Sequence, residues 1–255
     1  MVQEICGLNI NYSVTGEGNP VVLLHGWGSS IAVWKSITEA LKESYKVYAI
    51  DFPGCGESEL PSSPLTITDY ENIVLQFIKN NHIENPILMG HSHGGRVILS
   101  LLTKKLLSAK KVVLFDSAGI KPKKSFKTNI KIYSFKTVKA FLTLPVLRNH
   151  SEKLLNSARS YFGSADYKSA PEVMRKTLVN VVNVDVRHEL HNINCPVLLI
   201  WGDKDDATPL ACAKILEHGI KDSGLCVLKG CGHFALIEKP YDVNAILKSF
   251  LEVKN

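Results

Sequence analysis

Five short runs of aliphatic and β-branched residues recur along the chain, and none of them alternates apolar with polar residues. The runs are PVVLLHG (20–26), YKVYAID (45–51), PILMGHS (86–92), AKKVVLFDS (109–117) and CPVLLIWG (195–202). Strands that are apolar on both faces are typical of a parallel sheet with helices on both sides. The chain is therefore expected to build its core around such a sheet.

Helical periodicity occupies the gaps between these runs. The segments IAVWKSITEALKES, ITDYENIVLQFIKNN and RVILSLLTKKLL repeat apolar residues at spacings of three and four. Strand and helix in alternation predict an α/β fold with a mostly parallel central sheet, helices on both faces and right-handed crossovers. The opening ICGLNINYSVTGEGN alternates and turns on glycine, which predicts an antiparallel hairpin at the sheet edge.

The strand–helix alternation stops at Gly119 and resumes near Cys195. This interruption predicts a core domain made of residues 1–118 and 190–255, with residues 119–189 inserted as a helical cap. Ligands bind at the carboxyl ends of the strands in sheets of this kind, and the insertion leaves from such an end. The cap is therefore expected to lie over a binding site.

The composition is that of an ordinary globular protein, with 45% hydrophobic residues in 255. No run of 18 apolar residues exists, so stable membrane insertion is not expected. The beginning MVQEICGLNINYSV lacks the basic and apolar regions of a signal peptide, which favours a cytoplasmic location. The six cysteines are scattered without a Cys-x-x-Cys pair, so they are expected to be reduced thiols.

The net charge of +6 comes from one part of the chain. Residues 117–151 contain eight basic and no acidic residues, which leaves a net charge of −2 on the rest. Here lysines alternate with apolar residues in SFKTNIKIYSFKTVKAFLTLPVL, so one face of the cap could cover an acyl chain. A solvated cap surface is the favoured interpretation, and attraction of an anionic substrate or peripheral contact with an acidic membrane are the alternatives. No nucleic-acid-binding module is recognisable, so no nucleic-acid partner is expected.

The segment LMGHSHGGRV (88–97) puts Ser92 at the junction of a predicted strand and a predicted helix. Gly90 and Gly94 flank the serine, as a sharp turn that forces its side chain outward requires. The pattern indicates a nucleophile, with a glycine-rich turn that carries no chemistry as the alternative. A two-zinc site on His91 and His93 would need Asp and His at positions 95 and 96, where Gly95 and Arg96 stand, so no metal is expected.

A serine nucleophile needs a base and a carboxylate that orients the base. His233, in VLKGCGHFALIEKP, follows a predicted strand and is the candidate base. Three carboxylates follow the strand in LLIWGDKDDATP and are candidates for the acid: Asp203, Asp205 and Asp206. Asp116, which ends the strand in VVLFDSAG, is the reserve candidate.

A negative charge that develops on a substrate oxygen also needs two backbone N–H donors. One donor is expected at His93, at the start of the helix after Ser92. The other is expected in LLHGWGSS, where His25 and Gly26 end the first parallel strand and Trp27 follows.

Five motifs, HGWGSS, DFPGCGES, GHSHGG, WGDKDD and GCGHF, occur in the order found in the α/β-hydrolase fold family, which this sequence resembles over residues 2–118 and 190–255. The resemblance implies that Ser92 is the nucleophile, Asp205 the acid and His233 the base. It implies that Trp27 and His93 donate the oxyanion N–H groups, and it implies no cofactor. The sequence departs from the family at Cys55, where histidine is common, and at His93, where methionine or leucine is more usual.

The resemblance implies a serine hydrolase that cleaves a carboxylic ester or a related small-molecule acyl substrate through an acyl-enzyme. The alternatives are a carbon–carbon bond hydrolase of a diketone-like acid, an acyltransferase, and a ligand-binding receptor on a hydrolase fold. Haloalkane dehalogenases and epoxide hydrolases of this family have an aspartate at the position of Ser92, so the serine excludes both. The sequence leaves open the acyl group, the leaving group and the oligomeric state.

Overall fold

The computed structural model describes residues 1–122 and 170–253. Within these ranges eight strands form one sheet in the order β1-β2-β4-β3-β5-β6-β7-β8. Their bounds are β1 Val2–Ile5, β2 Leu8–Thr15, β3 Asn19–Leu24, β4 Tyr45–Ile50, β5 Ile87–His91, β6 Lys111–Phe115, β7 Val197–Gly202 and β8 Ser223–Leu228. Strands β3 to β8 are mutually parallel, and the predicted α/β fold with a mostly parallel sheet is confirmed.

The predicted edge hairpin is also confirmed. Strands β1 and β2 pair in antiparallel fashion, and β2 pairs in the same sense with β4. The two residues between β1 and β2, Cys6 and Gly7, both have positive φ angles, 52° and 77°. A two-residue turn of this handedness matches the twist of the strands it joins, so it fixes the register of the hairpin.

Helices pack on both faces of the sheet. The helices in the described residues are α1 Lys35–Leu41, α2 Ile67–Asn80, α3 His93–Thr103, α4 Glu172–Val181, α5 Leu210–Gly219, α6 Ala235–Glu238 and α7 Pro240–Leu251. Successive side chains of β3 enter opposite cores: Val22 packs in the core that contains α2 and α3, and Val21 in the core that contains α1 and α7. This double burial explains why the strand sequences do not alternate.

The second half of the predicted cap is anchored to the core through α4. The Leu65 N–H, just before α2, donates to Thr177 Oγ1 at 2.9 Å, and Asn180 Nδ2 donates to the Leu65 carbonyl at 3.0 Å. Residues 123–169 of the predicted cap, with most of the basic segment, lie outside the described residues, so the cap boundaries stay predictions. No helix in the described ranges is long and apolar enough to span a bilayer.

All six cysteines are free thiols, as expected from their spacing.

Candidate active site

Ser92 occupies the single residue between β5 and α3. Its backbone has φ 48° and ψ −109°, a conformation that residues other than glycine rarely adopt. Two contacts hold it there: the Ser92 N–H donates to the Phe115 carbonyl at 3.0 Å, and the Ser92 carbonyl accepts from the Ala118 N–H at 3.0 Å. The sharp strand-to-helix turn predicted from the sequence is therefore present, and it is fixed to the end of β6.

Glycines around this turn permit close backbone approach. A Cβ added to Gly90 would lie 2.6 Å from the backbone nitrogen of Gly95, and one added to Gly94 would overlap the Leu24 carbonyl of β3. One added to Gly26 would lie 2.6 Å from His91 Nδ1. Larger residues would therefore push the turn away from β3 and from the loop that follows it.

Ser92, His233 and Asp205 form a continuous hydrogen-bonded series, although they are far apart in the chain. His233 Nε2 lies 2.9 Å from Ser92 Oγ, and His233 Nδ1 lies 2.9 Å from Asp205 Oδ2. A neutral imidazole with its proton on Nδ1 satisfies both contacts, because it donates to the carboxylate and accepts from the hydroxyl. The His233 side chain is 21% exposed and that of Asp205 is fully buried, so only the serine end of the series faces an accessible space.

The turn after β7 explains why Asp205, among three neighbouring carboxylates, meets the imidazole. Asp205 Oδ1 accepts from the N–H groups of Ala207 and Thr208 at 2.8 and 2.9 Å, and the Trp201 indole N–H holds the turn through the Thr208 carbonyl at 2.7 Å. Asp206 is exposed.

Asp203 is also exposed, and its carboxylate accepts from the Gly230 N–H at 2.6 Å. Burial raises the pKa of the Asp205 carboxyl, but hydrogen bonds from His233 and Thr208 outweigh it and leave that pKa below its usual value. Asp205 therefore stays ionised at neutral pH.

The reserve candidate, Asp116, lies beside the series without bonding to the imidazole. Its carboxylate accepts from the Gly202 N–H at 2.8 Å and from the Ala235 N–H at 3.2 Å. Burial raises its pKa to about 7, and the two backbone hydrogen bonds oppose that shift. Asp116 thus ties the end of β7 to the loop that carries His233.

The loop after β3 brings the Trp27 backbone near the start of α3. His25 is buried and neutral: its Nδ1–H donates to the Gly26 carbonyl at 2.6 Å, and its Nε2 accepts from the Phe52 N–H at 2.9 Å. Asp51 fixes the far end of the loop by accepting from the Ile31 N–H at 2.7 Å.

The backbone N–H groups of Trp27 and His93 have no hydrogen-bond acceptor among the described residues. They stand at the two positions predicted to supply oxyanion donors, one in the loop after β3 and one at the start of α3. The positive end of the α3 dipole adds to the attraction for negative charge at this point.

The two departures from the family pattern have different surroundings. The buried His93 ring packs against the rings of Trp27, Phe52 and Tyr70, with centroid separations of 5.8, 5.5 and 4.6 Å. The His93 side chain is therefore part of the aromatic packing beneath the Trp27 loop. Cys55 is buried, burial raises the pKa of its thiol, and it borders a cavity beside Trp27.

His91, which the sequence analysis weighed only as a metal ligand, contacts the candidate base. Its Nε2–H donates to the His233 carbonyl at 2.8 Å, and the two rings lie 5.0 Å apart. Burial lowers the pKa of His91 to about 3, with the nearby His233 adding to the effect, so the ring is neutral. The sequence shows a histidine directly before Ser92, but it does not indicate that the ring of this histidine contacts the loop of His233, 142 residues further along the chain.

Two depressions border the Trp27 loop. One, of about 220 Å³, is lined by Trp27, Gly28, Gly54, Cys55 and residues 170, 171 and 174. The other, of about 450 Å³, reaches from Gly28 to Phe234, next to His233. Open space therefore lies on two sides of the loop that carries Trp27.

No group of three or more His, Cys, Asp or Glu side chains in residues 1–122 and 170–253 is arranged to hold a metal ion.

A serine hydroxyl, an imidazole and a carboxylate in series, at the carboxyl edge of a parallel sheet, are the arrangement of hydrolases that act through a nucleophilic serine. The sequence model described as "Alpha/beta hydrolase family" matches residues 21–246. This chain belongs to that family, and the predicted resemblance and hydrolase class are confirmed.

Individual relatives are distant. The "Uncharacterized hydrolase YugF" of Bacillus subtilis is 26% identical over 269 residues, which cover 96% of this chain and 95% of the relative. The "Pimeloyl-[acyl-carrier protein] methyl ester esterase" of Pectobacterium atrosepticum is 28% identical over 244 residues, 90% of this chain and 93% of the relative. The solved meta-cleavage product hydrolase from Pseudomonas fluorescens IP01 superimposes with a TM-score of 0.75 at 21% identity, over 100% of this chain and 98% of that one. At this identity the solved structure shows a shared fold.

Proposed function

We propose that the chain is a serine hydrolase that cleaves a carboxylic ester or a related small-molecule acyl substrate through an acyl-enzyme. The observation that carries this proposal is the series Ser92 Oγ, His233 and Asp205, joined by two contacts of 2.9 Å. The similarity to methyl ester esterases supports an ester as the substrate. No step of the proposed reaction needs a cofactor or a metal.

In the proposed mechanism, Ser92 Oγ attacks the acyl carbonyl carbon as His233 Nε2 takes the hydroxyl proton. Asp205 holds the imidazole in the reactive tautomer and stabilises the imidazolium that forms. The N–H groups of Trp27 and His93 stabilise the oxyanion. His233 then gives its proton to the leaving oxygen as the ester C–O bond breaks, which leaves the acyl group on Ser92 Oγ. A water molecule, deprotonated by His233 Nε2, attacks the acyl carbon. The bond between that carbon and Ser92 Oγ breaks, His233 returns the proton to Oγ, and the acid is released.

The alternative functions differ from ester hydrolysis in their products: a carbon–carbon hydrolase cleaves a C–C bond, an acyltransferase passes the acyl group to an alcohol acceptor, and a receptor binds its ligand without turnover. The test is turnover of p-nitrophenyl esters of increasing acyl length, beside a diketone-like acid and an alcohol acceptor. We expect hydrolysis of the esters, loss of that activity in His233→Ala, and retention in the surface control His218→Ala. Tight ligand binding without turnover, or cleavage of the diketone acid alone, would contradict the proposal.

We also propose that residues 119–189 cap this site. The insertion leaves the core next to Asp116, and α4 returns along the loop before α2, where Leu65 bonds to Thr177 and Asn180. Met174 of α4 borders the cavity beside Trp27. A cytoplasmic location stays a prediction.

His91 offers a test of how the base is positioned. Replacing it with leucine removes the donor to the His233 carbonyl, and a buried hydrogen bond of this kind is typically worth about 1–3 kcal/mol when one partner is left unpaired. We expect His91→Leu to lower kcat by about tenfold or more with little change in KM, because the His233 loop loses an anchor. His91→Gln keeps an N–H donor in reach of that carbonyl and is expected to retain most of the activity. Equal kcat values for both variants would contradict a positioning role.

A further inference from the structure

The Thr208 hydroxyl is a second donor to the carboxylate oxygen that meets the imidazole. Thr208 Oγ1 donates to Asp205 Oδ2 at 2.6 Å, and His233 Nδ1 lies 2.9 Å from the same oxygen. The two donor atoms, Thr208 Oγ1 and His233 Nδ1, are 3.4 Å apart. The hydroxyl also lies 2.9 Å from the Asp116 carbonyl. Because a hydroxyl has a single proton and the ionised carboxylate is the nearer and stronger acceptor, that proton belongs to the bond with Asp205.

The hydroxyl is not needed to orient the carboxylate. The other oxygen, Asp205 Oδ1, accepts from the backbone N–H groups of Ala207 and Thr208 at 2.8 and 2.9 Å. These two contacts are made by the main chain, so they do not depend on the side chain at position 208. The hydroxyl does not cap the next helix either, because the N-cap residue of α5 is Pro209 and Thr208 Oγ1 bonds to no N–H group of that helix.

The bond between Thr208 and Asp205 lies in a buried place, where hydrogen bonds to a charge are stronger than in water. Both residues are buried, and the Asp205 side chain has no exposed area. Burial raises the pKa of the Asp205 carboxyl, and the hydrogen bonds from His233 and then from the Thr208 hydroxyl lower it. A donor on Oδ2 stabilises the negative charge there, so less of that charge is available to stabilise an imidazolium on the same oxygen.

We propose that Thr208 limits the basicity of His233 by sharing Asp205 Oδ2 with it, so that the imidazole stays neutral and able to accept the Ser92 proton to lower pH. Thr208 is thus a positioning residue that acts through Asp205. A general base works only in its unprotonated form, so this contact sets the acid limit of activity. The inference rests on the proposed hydrolase function and goes beyond it by assigning the group that adjusts the base.

Other ionisable side chains around the loop of His233 keep their contacts when position 208 is changed. They are His91, which bonds to the His233 carbonyl, and three carboxylates that accept from backbone N–H groups of this loop: Asp116, Asp203 and Glu238. None of these four side chains bonds to the Thr208 hydroxyl. A substitution of Thr208 therefore changes one contact of the catalytic series and leaves the surrounding charges in place.

The test is the pH profile of kcat/KM for p-nitrophenyl acetate, after subtraction of the buffer rate, from about pH 5 to about pH 9. In Thr208→Val we expect the midpoint of the rising limb to move to higher pH by about half a unit to one unit. The rate below the midpoint should therefore fall by about three- to tenfold, with the alkaline plateau within about threefold of the wild type. Thr208→Ser keeps the hydroxyl and should retain the wild-type midpoint.

Thr103→Val is the matched control, since it removes a buried threonine hydroxyl that donates to the Leu99 carbonyl of its own helix at 2.8 Å. It should leave the midpoint where it is. Thr208→Ala serves the same comparison if the valine variant does not fold. A midpoint that stays at the wild-type value or moves to lower pH in the folded variant would overturn the inference. So would a serine variant that shifts as far as the valine variant.

A second readout needs no turnover. The nitrogen-15 shifts of the His233 ring, assigned by their loss in His233→Ala, are followed against pH in the wild type and in Thr208→Val. The midpoint of this titration should rise by about half a unit or more in the variant, and an unchanged midpoint contradicts the inference. If the wild type hydrolyses no ester, the proposed function fails, and the titration of the ring alone decides the role of Thr208.

Discussion

Ser92→Ala is expected to lower ester hydrolysis by about a million-fold in kcat, as removal of the nucleophile does in enzymes with this type of triad. The physical reason is that no other hydroxyl among the described residues bonds to His233 Nε2. The fold should survive, because the side chain points out of the turn, and the melting temperature is expected to change by only a few degrees. Initial rates with a p-nitrophenyl ester, together with thermal unfolding, measure both quantities.

Ser117→Ala is the matched control for this substitution. Ser117 is a buried serine at the end of the neighbouring strand, and its hydroxyl donates to the Ala118 carbonyl at 2.8 Å. It has no proposed part in the reaction, so Ser117→Ala should keep kcat within a few-fold of the wild type. A Ser92→Ala protein that retained more than about one part in a hundred of the activity would remove Ser92 from the mechanism.

Asp205→Asn is expected to lower kcat by about ten-thousand-fold, because an amide can donate to His233 Nδ1 and stabilise the wrong tautomer. The exposed neighbour Asp206 provides the control, and Asp206→Asn should leave the rate unchanged.

Asp116→Asn separates the structural carboxylate from the proposed catalytic one. Asp116 accepts two backbone hydrogen bonds, so the amide would leave one N–H facing a donor at a cost of about 1–3 kcal/mol in unfolding free energy. We expect a lower melting temperature with a much smaller loss in kcat than for Asp205→Asn. A lower kcat for Asp116→Asn than for Asp205→Asn would instead assign the role of the acid to Asp116.

The sheet could be predicted from the sequence because burial on both faces leaves a local signal. Val21 and Val22 enter different cores, and this removes the alternation that an exposed face would produce. The turn at Ser92 could be predicted for a similar reason, since Gly90 and Gly94 stand where a side chain would collide with the neighbouring backbone.

The acid could not be selected from local sequence alone. Asp203, Asp205 and Asp206 share one loop, and the carboxylate that meets the imidazole is decided by the position of His233, 28 residues further along the chain. The choice of Asp205 came from the family resemblance. The contact of His91 could not be predicted because it depends on a segment far along the chain, the carbonyl of His233.

The most direct test of the account is to treat the folded protein with a fluorophosphonate and to locate the adduct by peptide mass spectrometry. Such reagents phosphonylate a serine whose hydroxyl is activated by a neighbouring imidazole. The account predicts one adduct, on Ser92, that is absent from both Ser92→Ala and His233→Ala. A folded wild-type protein that stays unlabelled, or one that carries the adduct on another residue, would contradict it.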